Sequence, residues 1–313
     1  MSTASPPRAV VVEEELLLVG TTARPPAPVA RERVATRTPA VHDLDELRAA
    51  LAAGRRRHAA CADGRGAVLV ASGTELVAGG TDRFRASGAD TRAPALTCGC
   101  SVRVETGSRE EGVAVAERIG PWLPVLLAIS ANSPFWRGAD TDYASYRTQL
   151  RGQAPAVVVA AASGPSEPSL VDVRVADVPI EVDDAVLVAA LARALVETAA
   201  RRWREGRPPP PVRTEVARLA TWRASRSGLA AALVDVTGRR PVPARVMVNR
   251  LVAHAQDALD EAGDLGLVQE LVADLAERGT GAARQRDAYR DRGRLEDVVR
   301  MLADRTAPLA LVP

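Results

Sequence analysis

The chain has 313 residues, of which 47% are hydrophobic, and its 41 basic and 39 acidic side chains leave a net charge of +2. A chain of this length can bury a sizeable core, as one large domain or two ordinary ones. The balanced charge gives no domain-wide positive field, so we expect no nucleic-acid partner. Lysine does not occur in the sequence, which excludes a Walker-type phosphate loop and Schiff-base chemistry.

The compartment is predicted from apolar runs and cysteines. Charged residues interrupt every apolar run before it reaches the length of a bilayer span, and the first residues lack the order of a signal peptide. The chain has three cysteines, Cys61, Cys98 and Cys100. Three is too few for a disulfide framework, and an odd number fits a reducing compartment better than a secreted protein. We therefore expect a cytoplasmic protein without a membrane partner.

In chain order, the sequence predicts a disordered lead over residues 1–9 and a β-strand over residues 10–19, where β-branched and apolar residues dominate. Asp43 with Glu46 resembles a capping box and begins a helix that continues through Ala60. Ser108 with Glu111 is a second capping signal. Further strands are predicted at residues 66–71, 98–104, 157–162 and 170–175, and further helices at residues 108–119 and 121–129.

From residue 183 onward the predicted elements are all helices, at residues 183–206, 211–224, 243–262, 265–278, 282–290 and 295–305. Strands thus fall in residues 10–178 and helices in residues 179–313, without clean alternation. This order predicts one α+β domain over residues 10–313, in which helices pack around a largely antiparallel sheet that lines a cleft.

Three adjacent glutamates, Glu13, Glu14 and Glu15, lie inside the first predicted strand. Alternation of side chains along a strand puts Glu13 and Glu15 on one face and Glu14 on the other. Two carboxylates on one face suit a hard cation such as Mg²⁺. The same pattern also fits an edge strand with a solvated acidic face.

Two further segments carry candidate ligand-binding side chains. Residues 121–147 read PWLPVLLAISANSPFWRGADTDYASYR, which includes Asn132 and ends at Arg147; residues 172–178 read DVRVADV. A guanidinium such as that of Arg147 suits a carboxylate or phosphate ligand, and equally a structural salt bridge. Asp172 and Arg174 share one strand face, either as ligand-binding groups or as a cross-strand ion pair.

These segments, with residues 222–229 (WRASRSGL) and 277–286 (ERGTGAARQR), resemble the bacterial glutamate–cysteine ligase-like family of ATP-dependent carboxylate–amine ligases. The resemblance implies a glutamine synthetase-like fold and Mg²⁺ bound by Glu13, Glu15 and Asp172, an aspartate where the family has glutamate. It also implies ATP or substrate binding by Asn132, Arg147 and Arg174. No residue is assigned as catalytic.

The chain departs from the family pattern at several positions. Ser101 and Arg103 replace two histidines on one strand, and Ala35 stands where the family has a metal-binding glutamate. The segments at residues 20–33 and 78–96 are shortened. Because Arg103 cannot lose its proton, it needs an anionic partner. We hypothesise that Arg103 pairs with Glu13 or Glu15 in place of the metal, or holds a phosphate.

The resemblance implies ATP-dependent amide-bond formation between a small carboxylate and an amine through an acyl phosphate, with ATP and Mg²⁺ as cofactors. The missing histidines and glutamate favour an alternative, a catalytically degenerate member that acts as a binding or partner subunit. Its partner would be a second copy of the chain or an intact ligase paralogue. A third possibility is a pseudogene-like product of marginal stability.

Overall fold

A computed structural model of the chain describes residues 6–20, 32–76, 97–152, 154–160 and 168–307. The strands are β1 (Val10–Gly20), β2 (Glu32–Arg37), β3 (Ala67–Val70), β4 (Gly99–Thr106), β5 (Phe135–Trp136), β6 (Ala139–Asp140), β7 (Val157–Ala160), β8 (Ser169–Asp177), β9 (Leu233–Asp235) and β10 (Arg240–Val242). The helices are α1 (Leu44–Asp63), α2 (Arg109–Ile119), α3 (Leu123–Ser130), α4 (Tyr146–Arg151), α5 (Val182–Arg204), α6 (Thr214–Ser227), α7 (Ala244–His254), α8 (Gln256–Glu261), α9 (Leu265–Arg278), α10 (Gly281–Arg290) and α11 (Leu295–Thr306).

The main sheet has the strand order β2-β1-β4-β8-β7, and β3 pairs with the far end of β1. Every pairing within it is antiparallel. The two remaining pairs, β5 with β6 and β9 with β10, are short hairpins apart from this sheet. The predicted α+β class with a largely antiparallel sheet is therefore confirmed.

One face of the sheet is covered by helices. Along β1, the side chains of Val10, Val12, Glu14 and Leu16 are buried, while Glu13 and Glu15 are half-buried on the opposite face. Helix α5 is apolar around almost its whole circumference and is buried from Asp184 to Val196, as expected for a helix enclosed by a sheet and other helices. We call the other face, which carries Glu13, Glu15, Ser101, Arg103 and Arg174, the open face.

The two predicted capping signals are confirmed, whereas the helix predicted from residue 121 begins at Leu123 after a 3-10 turn. The Asp43 carboxylate accepts hydrogen bonds from the backbone N–H groups of Asp45 and Glu46 at the start of α1, and the Ser108 hydroxyl accepts one from Glu111 N at the start of α2. Each cap satisfies N–H groups that have no partner within the helix.

Several boundaries differ from the predictions. The helix predicted over residues 243–262 is two helices, because the backbone at Ala255 leaves the helical region. No glycine or proline marks that break.

The strand β2 and the hairpin of β9 and β10 were not predicted. Arg8 forms ion pairs with Glu111 and Glu197, so the contacts of the chain begin within the predicted lead. The shortened segments at residues 20–33 and 78–96 lie largely outside the described residues.

Residues 109–130 form one helical segment that is long and apolar enough, by length and composition alone, to cross a membrane. A 3-10 turn over Gly120–Trp122 interrupts this segment. Most of its apolar window is buried inside the fold, which is also the behaviour of a core helix.

An ion pair is buried beneath the sheet. Arg55 of α1 donates two hydrogen bonds to the Glu14 carboxylate, from Nε at 2.9 Å and from Nη2 at 2.6 Å, and both side chains are almost fully excluded from solvent. The same guanidinium donates to the backbone oxygens of Pro179 and Thr306. Burial acts to lower the pKa of Arg55, but the charge of Glu14 and the hydrogen bonds to it outweigh burial, and the pKa is raised.

Breaking this pair should destabilise the fold strongly. Because Glu14→Gln leaves the Arg55 cation buried without a counter-charge, we expect the free energy of unfolding to fall by about 3–5 kcal/mol in urea denaturation. The exposed pair of Arg65 and Glu32 is the matched control, and Arg65→Gln should cost less than about 1 kcal/mol. Equal losses from the two variants would contradict the prediction.

Candidate functional site

Arg103 lies between two acidic side chains on the open face. Its Nη2 atom is 3.0 Å from Glu13 Oε2, and its Nε atom is 3.2 Å from Asp172 Oδ2. Strand pairing produces this arrangement, since Val11 faces Arg103 across β1 and β4 while Asp172 faces it across β4 and β8. The hypothesised anionic partner of Arg103 is thus Glu13 together with Asp172, and not Glu15.

Asp172 is nearly buried, and both of its carboxylate oxygens are engaged. Ser101 Oγ donates to Oδ1, while Oδ2 accepts from Arg103 and from Arg174, whose Nη2 lies 2.7 Å away. A bulge in the pairing of β4 with β8 sets Arg174 and Val175 opposite Ser101 alone. Bulges redirect side chains near sheet sites, and the Arg174 side chain here remains 42% exposed.

Glu15 belongs to a separate contact further along β1. Its Oε1 atom is 2.9 Å from Arg33 Nη1, and its Oε2 atom accepts a hydrogen bond from Gly99 N at 3.0 Å. Ala35 is its register partner on β2, so a side chain at position 35 projects from the same face as Glu15. Glu15 lies two residues beyond Glu13 on the same face, about 7 Å along the strand, and each group has its own arginine partner.

Arg147 lies over the end of the open face and is buried. Its Nη1 atom is 3.5 Å from Asp177 Oδ1, and its Nε atom is buried without a hydrogen-bond partner. Asp177 also accepts hydrogen bonds from Asn132 N and from the hydroxyls of Ser133 and Ser145. Burial raises the pKa of Asp177, and the charge of Arg147 and these hydrogen bonds oppose that shift.

Arg151, one helical turn beyond Arg147, was not singled out from the sequence. Its Nη1 atom donates to the backbone oxygen of Arg174, and its Nη2 atom donates to Pro155 O at 3.2 Å. Burial and the nearby charges of Arg147 and Arg174 lower the pKa of Arg151 to about 10. The spacing of four residues on one helix face was the available signal, but the packing of α4 on β8 could not be read from it.

Asn132 lies in the interior, away from the open face. Its Nδ2 atom donates to the backbone oxygens of Ala71 and Val178, and its Oδ1 atom accepts from Gln285 Nε2 at 2.7 Å. An asparagine side chain has two N–H donors and one oxygen acceptor, and the contacts above use most of this hydrogen-bonding capacity. The structure therefore gives each polar atom of the Asn132 side chain a protein partner.

The carboxylates on the open face do not fit a divalent cation. Mg²⁺ takes near-octahedral oxygen ligands, whereas the Arg103 guanidinium occupies the space between Glu13 and Asp172. Among the described ranges, no group of three or more His, Cys, Asp or Glu side chains is arranged to hold a metal. The predicted set of Glu13, Glu15 and Asp172 is thus divided into two arginine-paired groups.

The sequence profile described as Glutamate-cysteine ligase family 2 matches residues 28–166 and 162–301 of the chain. This chain belongs to that family. A protein of Frankia alni with the provisional name glutamate–cysteine ligase 2-2 is 41% identical, over 90% of this chain and 84% of its own length. A relative in Paenarthrobacter aurescens, provisionally named glutamate–cysteine ligase 2-1, is 41% identical over 81% of this chain and 76% of its own length.

Solved structures share the fold of this family member. The crystal structure of the Francisella tularensis glutamate–cysteine ligase in complex with AMP matches with a TM-score of 0.66 at 10% identity, covering 98% of this chain and 90% of that one. The complex of the prokaryotic ubiquitin-like protein Pup with its ligase PafA matches with a TM-score of 0.61 at 15% identity, over 96% and 72% of the two chains. At these identities the likeness concerns the fold alone.

A cavity of about 190 Å³ lies between helices, apart from the open face, and Trp122 and His254 are among its lining residues. The two rings pack against each other with their centroids 4.7 Å apart. Burial and the charge of Arg202 lower the pKa of His254 to about 4. None of the predicted site residues lines this cavity.

The close approach of Arg147 to Gly99 gives a stability prediction. An alanine Cβ at position 99 would lie 2.1 Å from Arg147 Nη2 and 2.7 Å from Arg147 Cζ. Gly99→Ala should therefore displace the guanidinium from Asp177 and lower the free energy of unfolding by about 1–3 kcal/mol. The control is Gly266→Ala in α9, where nothing lies within 4 Å of the new Cβ, and urea denaturation should show that change within about 1 kcal/mol. Equal stability of both variants would mean that Arg147 is free to move.

The depressed pKa of His254 gives a pH prediction. Unfolded chains bind a proton at His254 below about pH 6.5, whereas the folded protein binds it only near pH 4. Protonation thus favours the unfolded state, and this stability contribution is lost as the pH falls from about 6.5 to 4. Across that window the melting temperature of His254→Gln should fall less than that of the parent, while His58→Gln, at a half-buried position outside this cavity, should follow the parent. Identical profiles for all three proteins would contradict the assignment.

Proposed function

We propose that this protein is an ATP-dependent carboxylate–amine ligase of the glutamate–cysteine ligase type, with the nucleotide phosphates and the carboxylate substrate bound on the open face. The observation that carries the proposal is the group formed by Arg103 and Arg174 of the sheet with Arg151 of α4, in a chain whose family and fold are those of a ligase. AMP and ADP are present in structures of a glutamate–cysteine ligase and of PafA, which supports nucleotide use here. We further propose that the carboxylate and the amine are both small molecules and that the protein is cytoplasmic.

In the proposed reaction, a carboxylate oxygen of the substrate attacks the terminal phosphorus of ATP. The bond from that phosphorus to the bridging oxygen breaks, ADP leaves, and an acyl phosphate forms. The nitrogen of the amine then attacks the acyl carbon, phosphate leaves, and the amine proton passes to solvent, which yields an amide. Guanidinium groups fixed on a sheet stabilise the negative charge that develops on the transferred phosphoryl group.

Among these arginines, Arg174 is best placed to reach a ligand. Its side chain is 42% exposed, whereas that of Arg147 is 6% exposed and held against Asp177. Nε and Nη2 of Arg174 are fixed by Asp172 Oδ2, which leaves further N–H donors of its fork available to a phosphate or carboxylate. In this proposal Arg147 has a structural role, because its ion pair with Asp177 fixes the end of β8.

A second candidate function is a binding or partner subunit without turnover. The specific observation that favours it is the pairing of Arg103 with Glu13 and Asp172, because the guanidinium occupies the position between the two carboxylates that a shared cation would need. A protein of this kind would bind ATP without amide formation. The tests below separate the two candidates.

The ligase proposal predicts an arginine-dependent activity. With ATP, glutamate and cysteine or another amine, in buffers with and without MgCl₂, we expect phosphate release together with a new amide detected by mass spectrometry. Arg174→Gln should lower kcat/KM at least about tenfold, since a charge-assisted hydrogen bond to the ligand is lost. Arg290→Gln is the control because its exposed side chain pairs with Asp287 on α10.

Three results decide between the candidates. Amide formation that is lost in Arg174→Gln and retained in Arg290→Gln supports the ligase. ATP binding by calorimetry without amide formation from any amine supports the binding subunit. Equal turnover by Arg174→Gln and the parent would remove Arg174 from the site.

A further inference from the structure

Four acidic groups on the open face and at its end contact arginine. Glu13 contacts Arg103, Glu15 contacts Arg33, and Asp172 contacts both Arg103 and Arg174. At the end of the face, Asp177 contacts Arg147. These carboxylates are therefore neutralised by the protein itself, without a metal.

Arg151 of α4 adds a positive charge beside Arg174. In the part of the chain that the structure describes, its guanidinium contacts backbone oxygens, and no ion pair joins it to a carboxylate. Arg147 donates a long hydrogen bond to the same backbone oxygen of Arg174 that Arg151 uses, at 3.5 Å. Two guanidinium groups thus converge on one carbonyl oxygen, which is a weak partner for two cations.

A guanidinium presents several N–H donors in a plane and matches the oxygens of a phosphate or carboxylate. The buried Nε of Arg147, which has no partner, is a further donor beside this point. Burial and, after it, the positive charges of Arg147 and Arg174 lower the pKa of Arg151. An added oxyanion would supply the charge that the neighbouring carboxylates, already paired, do not supply.

We infer that the open face binds an oxyanion of the phosphate class directly through Arg151 and Arg174, without a divalent cation, because Arg103 occupies the place of the cation between Glu13 and Asp172. The inference deepens the proposed function, since this oxyanion would be a phosphate group of the nucleotide. It differs from the proposal in requiring no turnover. Arg151 is a binding residue in this scheme, and Arg103 is a positioning residue that holds the two carboxylates.

Calorimetric titration with inorganic pyrophosphate tests the oxyanion site. We expect binding in buffer with EDTA, and no gain when MgCl₂ replaces EDTA. Arg151→Gln should raise the Kd at least about tenfold, from the loss of a charged donor, while Arg151→Lys keeps the charge and should recover part of the affinity. Arg290→Gln should bind as the parent does, and circular dichroism and melting of each variant verify folding. Binding only in MgCl₂, or an unchanged Kd in Arg151→Gln, would overturn the inference.

Arg103 is tested by a change of metal dependence. Arg103→His removes the permanent cation and leaves a side chain that can be neutral, so we expect MgCl₂ to raise its melting temperature or its pyrophosphate affinity, with no such effect on the parent. Arg103→Ala is a second variant that opens the same space and should show the same gain. If neither variant responds to MgCl₂, Arg103 does not stand in for a cation.

ADP in EDTA distinguishes the source of the oxyanion and separates this inference from the proposed function. Tighter binding of ADP than of pyrophosphate identifies a nucleotide as the source. Binding of pyrophosphate with no advantage for ADP retains the oxyanion site and contradicts nucleotide use. Turnover that depends on MgCl₂, together with pyrophosphate binding that also depends on it, retains the ligase and overturns the cation-free site.

Discussion

The contact on which the arrangement of this sheet depends is the bidentate pair of Glu14 and Arg55 beneath β1. It joins the strand to α1, and the same guanidinium reaches backbone oxygens before α5 and at the end of α11. Because side chains alternate along a strand, fixing Glu14 toward the helices fixes Glu13 and Glu15 toward the open face. A slip of one residue would bury two carboxylates and expose their apolar neighbours.

The open face combines a ligase fold with an altered charge pattern. The family resemblance implies that acidic side chains of this face bind a metal. In this structure, Arg103 contacts Glu13 and Asp172, and Arg33 contacts Glu15. These ion pairs are formed within the protein, so their geometry is set before any ligand arrives, which is the condition for effective electrostatic stabilisation. The same pairs also restrict the carboxylates, which explains why binding without turnover is a coherent second candidate.

The two ends of the face have different physical characters. Near Arg103 and Arg174 the side chains are partly exposed and can meet a ligand. Near Arg147, the buried Asp177 collects hydrogen bonds from Asn132, Ser133 and Ser145, and that network joins the loop after α3 to the sheet. A buried carboxylate with this many donors gains rigidity at a cost in desolvation, so this end of the open face is held fixed.

Local rules of alternation and capping are enough to predict the class of the fold, the faces of β1 and the starts of α1 and α2. Residues 121–147 and 172–178 identify the family, and the permanent charge of Arg103 predicts an anionic partner. Tertiary packing sets the rest: this partner is Glu13 with Asp172, Asn132 is interior, and Arg151 contacts the backbone of Arg174. Strand order and the bulge at Arg174 and Val175 set those distances, and they depend on contacts between residues far apart in the chain, for which local sequence pattern carries no signal.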